Sequence, residues 1–335
     1  MRAALREAVR GLGSTSPNPA VGAVIVRCGK IIARGHHRFF GGPHAEIVAL
    51  KRSKGNLTGA TMFVTLEPCD HFGKTPPCTR EIIRSGIRRV VVGISDPHRI
   101  VAGKGIRRLQ AAGIQVELLD DPAVFDFYEP YRIFHERGRC HVTLKLAFSI
   151  DGKITAPNRK WITGPAARAA VQKIRARMDA ILVGRRTAVT DDPHLTVRAQ
   201  HSHRAKKLVR IVLTASGRVP ASIRMLVDGA APTWIARVAR GKKIPDLRHL
   251  VRTLARRGII YLLVEGGAVT ANSFLDQGLA DEILLFVSPN ISGPGGLDAF
   301  RFRMQSSPFL NSNWRVLDYK KIGGDDLFRI RPAKG

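Results

Sequence analysis

The chain has 335 residues, of which 44% are hydrophobic, and its formal net charge is +29. This length accommodates two domains with a sizeable core each, and four cysteines are too few for a disulfide framework. No run of eighteen apolar residues occurs and the N-terminus lacks an apolar signal core, so we expect no membrane segment and a cytoplasmic location.

The positive charge raises the possibility of nucleic-acid binding. The basic residues, however, form scattered pairs such as Arg88-Arg89 and Arg256-Arg257. There is no dense basic tail and no alternation of aromatic and basic residues of the kind that single-strand binders use. Solvated faces or an anionic phosphorylated substrate explain the charge as well. We therefore expect a small-molecule substrate and consider nucleic acid unlikely.

The first half of the chain alternates between helical and strand patterns, which indicates a layered α/β domain. Helices are predicted at 3–12, 44–54, 79–85 and 104–112, and strands at 21–26, 31–35, 61–66, 89–94 and 114–119. Residues 120–140 are interpreted as a hinge-like segment that separates domain 1–140 from domain 141–335.

The second half is again predicted to be α/β. Strands are predicted at 141–148, 180–183, 208–213, 233–238, 259–264 and 282–287, helices at 165–178, 246–257 and 268–277, and a hairpin near 314–332. The second half does not repeat any metal-ligand pattern of the first. It also lacks the G-x-G-x-x-G fingerprint, so an ordinary Rossmann dinucleotide site is not supported.

The strongest chemical signal is His44-Ala45-Glu46, followed along the chain by Pro68-Cys69 and Pro77-Cys78. One imidazole and two thiolates make a three-ligand zinc site with a fourth tetrahedral position open for water. Glu46 is then placed to move protons. A single His or Cys is more often structural, but two Pro-Cys pairs with H-x-E rarely arise by chance. The pattern predicts hydrolytic deamination of an aminated heteroaromatic ring, although the cysteines lie nine residues apart where three are usual.

Several further residues allow two interpretations. Asn18, in the turn Ser16-Pro17-Asn18-Pro19, either hydrogen-bonds a ring edge or is an ordinary turn residue. Glu265-Gly266-Gly267 joins a strand to a helix, so its backbone N–H groups either bind phosphate or simply form a turn. Gly184–Thr187 is interpreted as a second loop of that kind. Arg175 and Arg198 either hold a substrate phosphate or are solvated charges.

Taken together, these motifs resemble the bifunctional riboflavin-biosynthesis deaminase/reductase family over essentially the whole chain. The segments that carry the resemblance are Ser16–Gly22, His44–Glu46, Thr65–Cys78 with its wide cysteine spacing, Asp96-Pro97, Val101–Gly105, Thr143–Lys153, Trp161–Thr163, Thr187, Asp191–Pro193, Leu195–Arg198 and Glu265–Gly267.

The resemblance implies an N-terminal cytidine-deaminase-like three-layer domain and a C-terminal dihydrofolate-reductase-like domain. The first would use Zn²⁺ to deaminate 2,5-diamino-6-(5-phosphoribosylamino)pyrimidin-4(3H)-one. The second would use NADPH to reduce the ribosyl group, which yields 5-amino-6-(5-phosphoribitylamino)uracil. We also expect a homo-oligomer.

The resemblance also assigns site residues. His44, Cys69 and Cys78 would bind zinc, and Glu46 would shuttle protons. Contacts to the deaminase substrate would come from Asn18, His37, His71, Lys74 and Asp96. Contacts to NADPH would come from Ala147, Trp161, Thr187, Asp191, Gly267, Ala268, Val269, Thr270, Ala271, Asn272 and Ser273. Contacts to the phosphoribosyl substrate of the reductase would come from Lys145, Arg175, Leu195, Arg198 and Glu265.

Three positions depart from the family pattern. His98 stands where Asn is usual after Asp-Pro, and Arg159 replaces a small polar residue near Trp161. Ala215 lies where a hydroxyl residue is usual near the cofactor. None of the three is a predicted zinc ligand, so we expect the deaminase chemistry to be intact. Any loss of catalytic activity is expected in the reductase half.

Overall fold

The chain divides into two compact units, Met1–Gly138 and Arg139–Gly335. The computed structural model describes residues 1–72, 76–99, 101–157, 159–198, 208–238, 246–300 and 313–333. Within these ranges, no helix has both the length and the apolar character needed to cross a membrane.

A five-stranded sheet forms the centre of the N-terminal unit, in the order β2-β1-β3-β4-β5. Strand β1, second in this order, is antiparallel to both neighbours, whereas β3, β4 and β5 are parallel to one another. The strands are β1 Gly22–Arg27, β2 Lys30–His36, β3 Thr61–Leu66, β4 Arg89–Ile94 and β5 Gln115–Leu118. The helices are α1 Arg2–Val9, α2 Ala45–Arg52, α3 Cys78–Arg84, α4 Lys104–Ala111, α5 Pro122–Phe127 and α6 Glu129–Arg137.

Helix α2, which carries the H-x-E motif, packs unusually close to the sheet. Gly35 on β2 makes this approach possible, because a Cβ atom there would lie 2.2 Å from the carbonyl oxygen of Ala45. The buried face of α2 includes Ala45 and Ala49, which join the hydrophobic core of this unit. The N-terminal end of α2 is thereby fixed relative to the strand ends.

The prediction of a hinge at 120–140 was wrong, because this segment forms the packed helices α5 and α6. Asp121 caps α5 by accepting hydrogen bonds from the backbone N–H groups of Ala123 and Val124. The buried Tyr128 hydroxyl lies 2.7 Å from Thr65 Oγ1 and donates to the Ala20 carbonyl. The Asp-Pro start of α5 is a helix signal, but helices of six and nine residues carry little periodicity.

The C-terminal unit contains an eight-stranded sheet in the order β12-β13-β11-β6-β10-β7-β8-β9. From β11 to β9 all neighbours are parallel, and the antiparallel hairpin β12–β13 adds to the β11 edge. The strands are β6 His141–Ser149, β7 Ala180–Gly184, β8 Val209–Thr214, β9 Thr233–Arg237, β10 Tyr261–Glu265, β11 Glu282–Ser288, β12 Trp314–Ile322 and β13 Asp325–Pro332. The helices are α7 Pro165–Arg175, α8 Arg185–Thr190, α9 Arg224–Val227, α10 Leu247–Arg256 and α11 Ala268–Asp276.

The core of this unit lies around the central strands β6, β10 and β7, which are buried apolar runs. Two differences from the prediction concern the edge that carries the candidate site. Arg185–Thr187, predicted to belong to a loop, form the first half of α8, and α7 ends at Arg175 instead of residue 178. Because the strands are parallel, their carboxyl ends meet at one edge, where ligands bind in open α/β sheets.

Candidate active sites

The three predicted zinc ligands converge in the N-terminal unit. His44 is the N-cap residue of α2 and so lies just before the helix, not in its first turn as predicted; Cys78 opens α3. The Nδ1 atom of His44 is 3.2 Å from Cys78 Sγ and 3.4 Å from Cys69 Sγ, and all three donor atoms lie within 4.8 Å of one another. Zinc bonds of about 2.0–2.3 Å to nitrogen and sulfur require spacings of this size, so the residues fit a tetrahedral zinc ion.

The two thiols are electronically unequal. A hydrogen bond with Cys78 and contact with His44 lower the pKa of the Cys69 thiol, although its burial opposes this change. The same contact between the thiols, together with burial, raises the pKa of Cys78. The protein alone therefore favours one thiolate, and a zinc ion would deprotonate the second by coordination.

Glu46 lies in the first turn of α2 and only 3% of its surface is exposed. Its Oε2 atom has no hydrogen-bond partner among the described residues. Burial raises the pKa of this carboxyl group, although the charge of His44 opposes the change. A buried carboxyl beside a zinc site, with one oxygen free of hydrogen bonds and a raised pKa, is suited to accepting a proton and giving it up again.

Asn18 and His37 lie beside the zinc ligands. The Nδ1–H group of His37 donates to the Pro43 carbonyl at 3.0 Å, which leaves Nε2 as an acceptor 3.5 Å from Asn18 Nδ2. The ring centroids of His37 and His44 are 5.4 Å apart. Burial lowers the pKa of His37, so its ring is neutral. The structure thus brings both residues to the zinc cluster.

Of the other predicted contacts to the deaminase substrate, one is buried near the zinc ligands, one is exposed and one lies outside the described residues. Asp96 follows β4 and is buried, which raises its pKa to about 7, and the nearby charges of Glu67 and Cys69 act in the same direction. His71 is exposed. Lys74 lies outside the described residues. Asp96 is therefore close to the cluster, and His71 is on the surface two residues beyond Cys69.

A positioning residue that the sequence analysis missed is Glu67. Its buried carboxylate accepts hydrogen bonds from the backbone N–H groups of Asp96 at 3.3 Å, Gly103 at 2.9 Å and Ile106 at 3.2 Å. It therefore ties the end of β4 and the first turn of α4 to the segment that carries Cys69. Glu67 belongs to the quoted motif, but only its burial reveals this role.

In the C-terminal unit, three predicted substrate residues form one cluster. Register places Glu265 of β10 directly opposite Lys145 of β6. The Nε and Nη2 atoms of Arg175 each donate to one oxygen of Glu265 at 2.7 Å. Burial alone would raise the pKa of Glu265, but Arg175 and Lys145 outweigh it and lower that pKa. Burial, aided by the charge of Arg175, lowers the pKa of Lys145.

Leu195 and Arg198 contribute in different ways. The Leu195 side chain is buried in a hydrophobic cluster, so only its backbone is free to face a ligand. Its φ of 47° is unusual for a residue other than glycine. The Thr196 carbonyl accepts a hydrogen bond from Arg175 Nη1 at 3.5 Å, which ties this loop to the Arg175–Glu265 pair. Arg198 is exposed, and its backbone N–H donates to Gln172 Oε1.

Helices α8 and α11 begin side by side at the carboxyl edge of the sheet. The Gly267 N–H donates to Thr187 Oγ1 at 3.2 Å, and a Cβ atom at Gly184 would lie 2.3 Å from Thr270 Oγ1. Of the remaining predicted cofactor residues in α11, Val269 is exposed. The others are buried: Ala268, Ala271, Asn272 and Ser273. A ligand therefore meets the backbone at the start of α11, which is an arrangement suited to phosphate.

Three further predicted cofactor residues surround this edge. Ala147 lies on β6 opposite Phe286 of β11. The Asp191 N–H donates to the Thr187 carbonyl at the end of α8. Trp161 is 57% exposed, and its described ring contacts are with Lys160 and Arg168. The structure thus joins Asp191 to Thr187 and leaves Trp161 on a surface loop.

Two family models match the chain. The model of the cytidine and deoxycytidylate deaminase zinc-binding region matches residues 1–94, and the model of the RibD C-terminal domain matches residues 140–325. The chain is also similar to curated proteins called riboflavin biosynthesis protein RibD. The protein from Aquifex aeolicus is 40% identical over 88% of this chain and 87% of its own length; that from Escherichia coli K12 is 36% identical over 88% of both.

Solved structures agree with these matches. The diaminohydroxyphosphoribosylaminopyrimidine deaminase/5-amino-6-(5-phosphoribosylamino)uracil reductase of Thermotoga maritima is 35% identical, with a TM-score of 0.88 over 99% of this chain and 97% of its own. A RibD structure from Acinetobacter baumannii is 33% identical, with a TM-score of 0.86 over 99% of this chain and 98% of its own. Both comparisons span the deaminase-like and the reductase-like halves.

Proposed function

The chain belongs to the RibD family of bifunctional riboflavin-biosynthesis deaminase/reductases, and we propose that its two units convert one substrate in consecutive steps. The N-terminal unit hydrolyses the amine of 2,5-diamino-6-(5-phosphoribosylamino)pyrimidin-4(3H)-one and releases ammonia. The C-terminal unit then reduces the ribosyl group of the product with NADPH to the ribityl group. The observation that carries the proposal is the buried Glu46 carboxyl, whose Oε2 atom has no hydrogen-bond partner among the described residues, beside three convergent zinc donors.

In the deaminase site, His44, Cys69 and Cys78 would hold the zinc ion, which would supply a water molecule acidified towards neutral pH. Glu46 takes a proton from the attacking water at Oε2 and returns it to the leaving amine. The raised pKa of Glu46 suits this exchange, because it makes the carboxylate a better proton acceptor than an ordinary glutamate.

The neighbouring side chains orient the pyrimidine. Asn18 and the neutral His37 present hydrogen-bonding groups to the edge of the ring, and Asp96, whose pKa is raised to about 7, is able to donate or accept there. The exposed His71 acts at the outer part of the substrate, and the family resemblance assigns Lys74 to the same substrate. Positioning of this kind contributes much of the rate enhancement in a reaction between bound groups.

In the reductase site, NADPH supplies the hydride, and the residues of this chain bind and orient the two reactants. The backbone at the start of α11, with Thr187, holds phosphate groups of the cofactor. The Arg175–Glu265 pair fixes the loop that carries Leu195 and Arg198. Lys145, held next to Glu265, faces the opened ribose as a hydrogen-bond donor.

The cytoplasmic location and the homo-oligomer are also part of this proposal. Multi-angle light scattering of the purified chain measures its mass in solution. A mass equal to that of a single 36.7 kDa chain across the micromolar range would contradict the oligomer without affecting the catalytic assignments.

The direct test supplies zinc-loaded protein with the diaminopyrimidine ribosyl phosphate, and measures ammonia release and NADPH absorbance together. We expect ammonia release with or without NADPH, and NADPH oxidation only after deamination has begun. Pre-deaminated substrate should support NADPH oxidation immediately. Absence of ammonia from zinc-replete protein would contradict the deaminase assignment. Ammonia release without any NADPH oxidation would contradict the reductase assignment alone.

A further inference from the structure

Four exposed arginines gather at the carboxyl edge of three neighbouring strands in the C-terminal unit. Arg185 and Arg186 follow β7, Arg218 lies in the turn after β8, and Arg237 ends β9. Parallel register aligns these strand ends, because Gly184 pairs with Leu213 and Thr214 pairs with Arg237. Residues up to 52 positions apart in the sequence, Arg185 and Arg237, therefore present positive charge at one edge of the sheet.

The turn after β8 connects three members of this cluster, Arg185, Arg218 and Arg237. The Nε–H of Arg185 donates to the Arg218 carbonyl at 3.0 Å. Gly217 has a φ of 73°, and a Cβ atom there would lie 3.0 Å from Cδ of Arg237, so the Arg237 side chain lies over the turn. The Arg218 N–H donates to Ser216 Oγ at 3.2 Å, which holds the turn closed. The three arginines thus lie on or against a tight turn that is held by hydrogen bonds.

None of the four arginines belongs to an ion pair within the described part of the chain. Other arginines of the same unit are neutralised by carboxylates, as Arg175 is by Glu265, Arg210 by Asp228 and Arg224 by Asp192. Like charges held close together without counter-ions repel one another. Such an arrangement is stabilised when an anion binds between them, and the fork of a guanidinium matches the oxygens of a phosphate.

The position of the cluster indicates which phosphate it would meet. The glycine turn at Gly266-Gly267 and Thr187, to which the pyrophosphate of the cofactor is assigned above, lie at the ends of β10 and β7. The turn after β8 is one strand further from β7, which is a step of roughly 5 Å along the sheet edge. A dinucleotide anchored at β10 and β7 therefore extends its adenosine half towards β8 and β9.

We infer that Arg218 and Arg237, supported by Arg185, bind the 2′-phosphate of NADPH and give the reductase its preference for NADPH over NADH. This inference rests on the proposed reductase function and adds to it the residues that select the cofactor. An arginine near the adenosine ribose is the usual device for accommodating that phosphate.

The test measures binding to the full-length protein by isothermal titration calorimetry, with 2′,5′-ADP and 5′-AMP as probes that differ only in the 2′-phosphate. We expect the unsubstituted protein to bind 2′,5′-ADP more tightly. The double substitution Arg218→Ala with Arg237→Ala should weaken 2′,5′-ADP binding by roughly ten- to a hundredfold and leave 5′-AMP and NADH binding unchanged, since charged hydrogen bonds to one group are lost. Arg252→Ala, an exposed arginine on α10, is the matched control and should change neither.

The alternatives give different results. The inference is overturned if the unsubstituted protein binds the two probes with equal affinity, which would mean that no site for the 2′-phosphate exists. It is also overturned if the double variant binds 2′,5′-ADP as tightly as the unsubstituted protein, which would mean that the 2′-phosphate binds elsewhere. Loss of single-stranded RNA binding in the double variant, with 2′,5′-ADP binding retained, assigns the cluster to nucleic acid. A rise only in the KM for the phosphoribosyl substrate assigns it to the substrate phosphate. If neither NADPH nor NADH binds at all, the reductase function itself fails.

Discussion

The two units each bury a glutamate at the centre of the site, and the two glutamates have opposite surroundings. Glu46 in the N-terminal unit has an oxygen without a partner, and burial raises its pKa. Glu265 in the C-terminal unit is bound through both oxygens to Arg175 and lies beside Lys145, and its pKa is lowered. The first is suited to exchanging protons, whereas the second is a permanent anion.

The difference reflects the two reactions. Deamination requires a group that accepts and then donates a proton, and an unpaired carboxyl whose pKa is raised has this property. In the reductase the cofactor carries the difficult chemistry, so the protein mainly has to place two anionic ligands. A glutamate that fixes Arg175 and orients Lys145 serves placement. The free Oε2 atom of Glu46 is therefore consistent with the proposed proton carrier, and the pairing of both Glu265 oxygens is consistent with a structural support.

The largest effect is expected from Glu46→Gln, which keeps the size of the side chain and removes its proton exchange. Ammonia release should fall by roughly 10²–10⁴-fold, the usual contribution of a general acid–base group. Reduction of pre-deaminated substrate by NADPH should continue at the rate of the unsubstituted protein. Zinc content, measured on the same sample, should be unchanged, because Glu46 is not a ligand. Ammonia release within a few-fold of the original rate would refute the proton-carrier role.

A smaller effect is expected from Glu265→Gln, because the neutral amide leaves the buried charge of Arg175 without its anion. The free energy of unfolding of the C-terminal unit should fall by about 1.5–3 kcal/mol, the range for a hydrogen bond to a charged group. All three tryptophans, Trp161, Trp234 and Trp314, belong to that unit, so urea unfolding followed by tryptophan fluorescence reports on it alone.

The matched control is Asp318→Asn, which removes the exposed ion pair with Lys320. Its effect should be about 0–1 kcal/mol, since exposed pairs contribute little. If the two substitutions lower the unfolding midpoint equally, the pairing of Glu265 has no special structural value. Ammonia release should be unaffected in both variants.

Gly105→Ala tests whether the zinc ligands depend on packing behind them. A Cβ atom at Gly105 would lie 1.8 Å from the carbonyl oxygen of Pro68, the residue before Cys69, so the backbone of the zinc loop has to move. Overpacking of this kind costs about 1–3 kcal/mol. Zinc affinity, measured by competition with a chromophoric chelator, should fall roughly tenfold or more, as for other groups that orient ligands.

Gly324→Ala provides the comparison, because a Cβ atom there meets open space. It should leave zinc affinity unchanged. Retention of full zinc affinity by Gly105→Ala would mean that the loop adapts without displacing Cys69, and the close approach of α4 would then have no role in the site.

The same contrast explains how much of each site could be predicted from the sequence. The zinc ligands and Glu46 are chemically obligatory residue types at short spacings, so their motif identified them before any fold was known. The ligand-binding edge of the C-terminal unit depends on strand order, which places Lys145 beside Glu265 although 120 residues separate them. Here residue types alone left Arg175 and Glu265 with alternative interpretations, and only the resemblance assigned them.

The errors in the fold prediction have similar causes. Hydrophobic periodicity located the strands of both sheets, because buried parallel strands are apolar runs. The packed helices α5 and α6 were missed because they are short, and their stability comes from contacts such as that of Tyr128 with Thr65 and Ala20. Glu67 was seen only as part of a motif, since its backbone partners Gly103 and Ile106 are distant in the sequence.

The smallest effect is expected on the pH dependence of stability, from a histidine that takes part in neither reaction. This histidine should affect the stability of the N-terminal unit and not that of the C-terminal unit. His135 on α6 packs against His98 and Tyr131, with ring centroids 4.4 Å apart in each pair. Burial, and the nearby charge of His98, lower its pKa from 6.5 to about 4. Between pH 6.5 and pH 4 the unfolded chain therefore binds a proton that the folded chain does not. Stability from this residue is complete above pH 6.5 and is lost as the pH falls through that window.

His135→Phe keeps an aromatic ring and removes the titration, so the N-terminal unit should lose less stability between pH 7 and pH 5 than in the unsubstituted protein. Urea unfolding followed by far-ultraviolet circular dichroism measures the whole chain, and tryptophan fluorescence of the same samples measures the C-terminal unit. Any zinc loss at pH 5 affects both proteins and cancels in their difference. We expect the variant to shift only the circular dichroism transition. Equal pH dependence of the two proteins would show that His135 titrates normally in the folded state, and that the cluster around it is open to water.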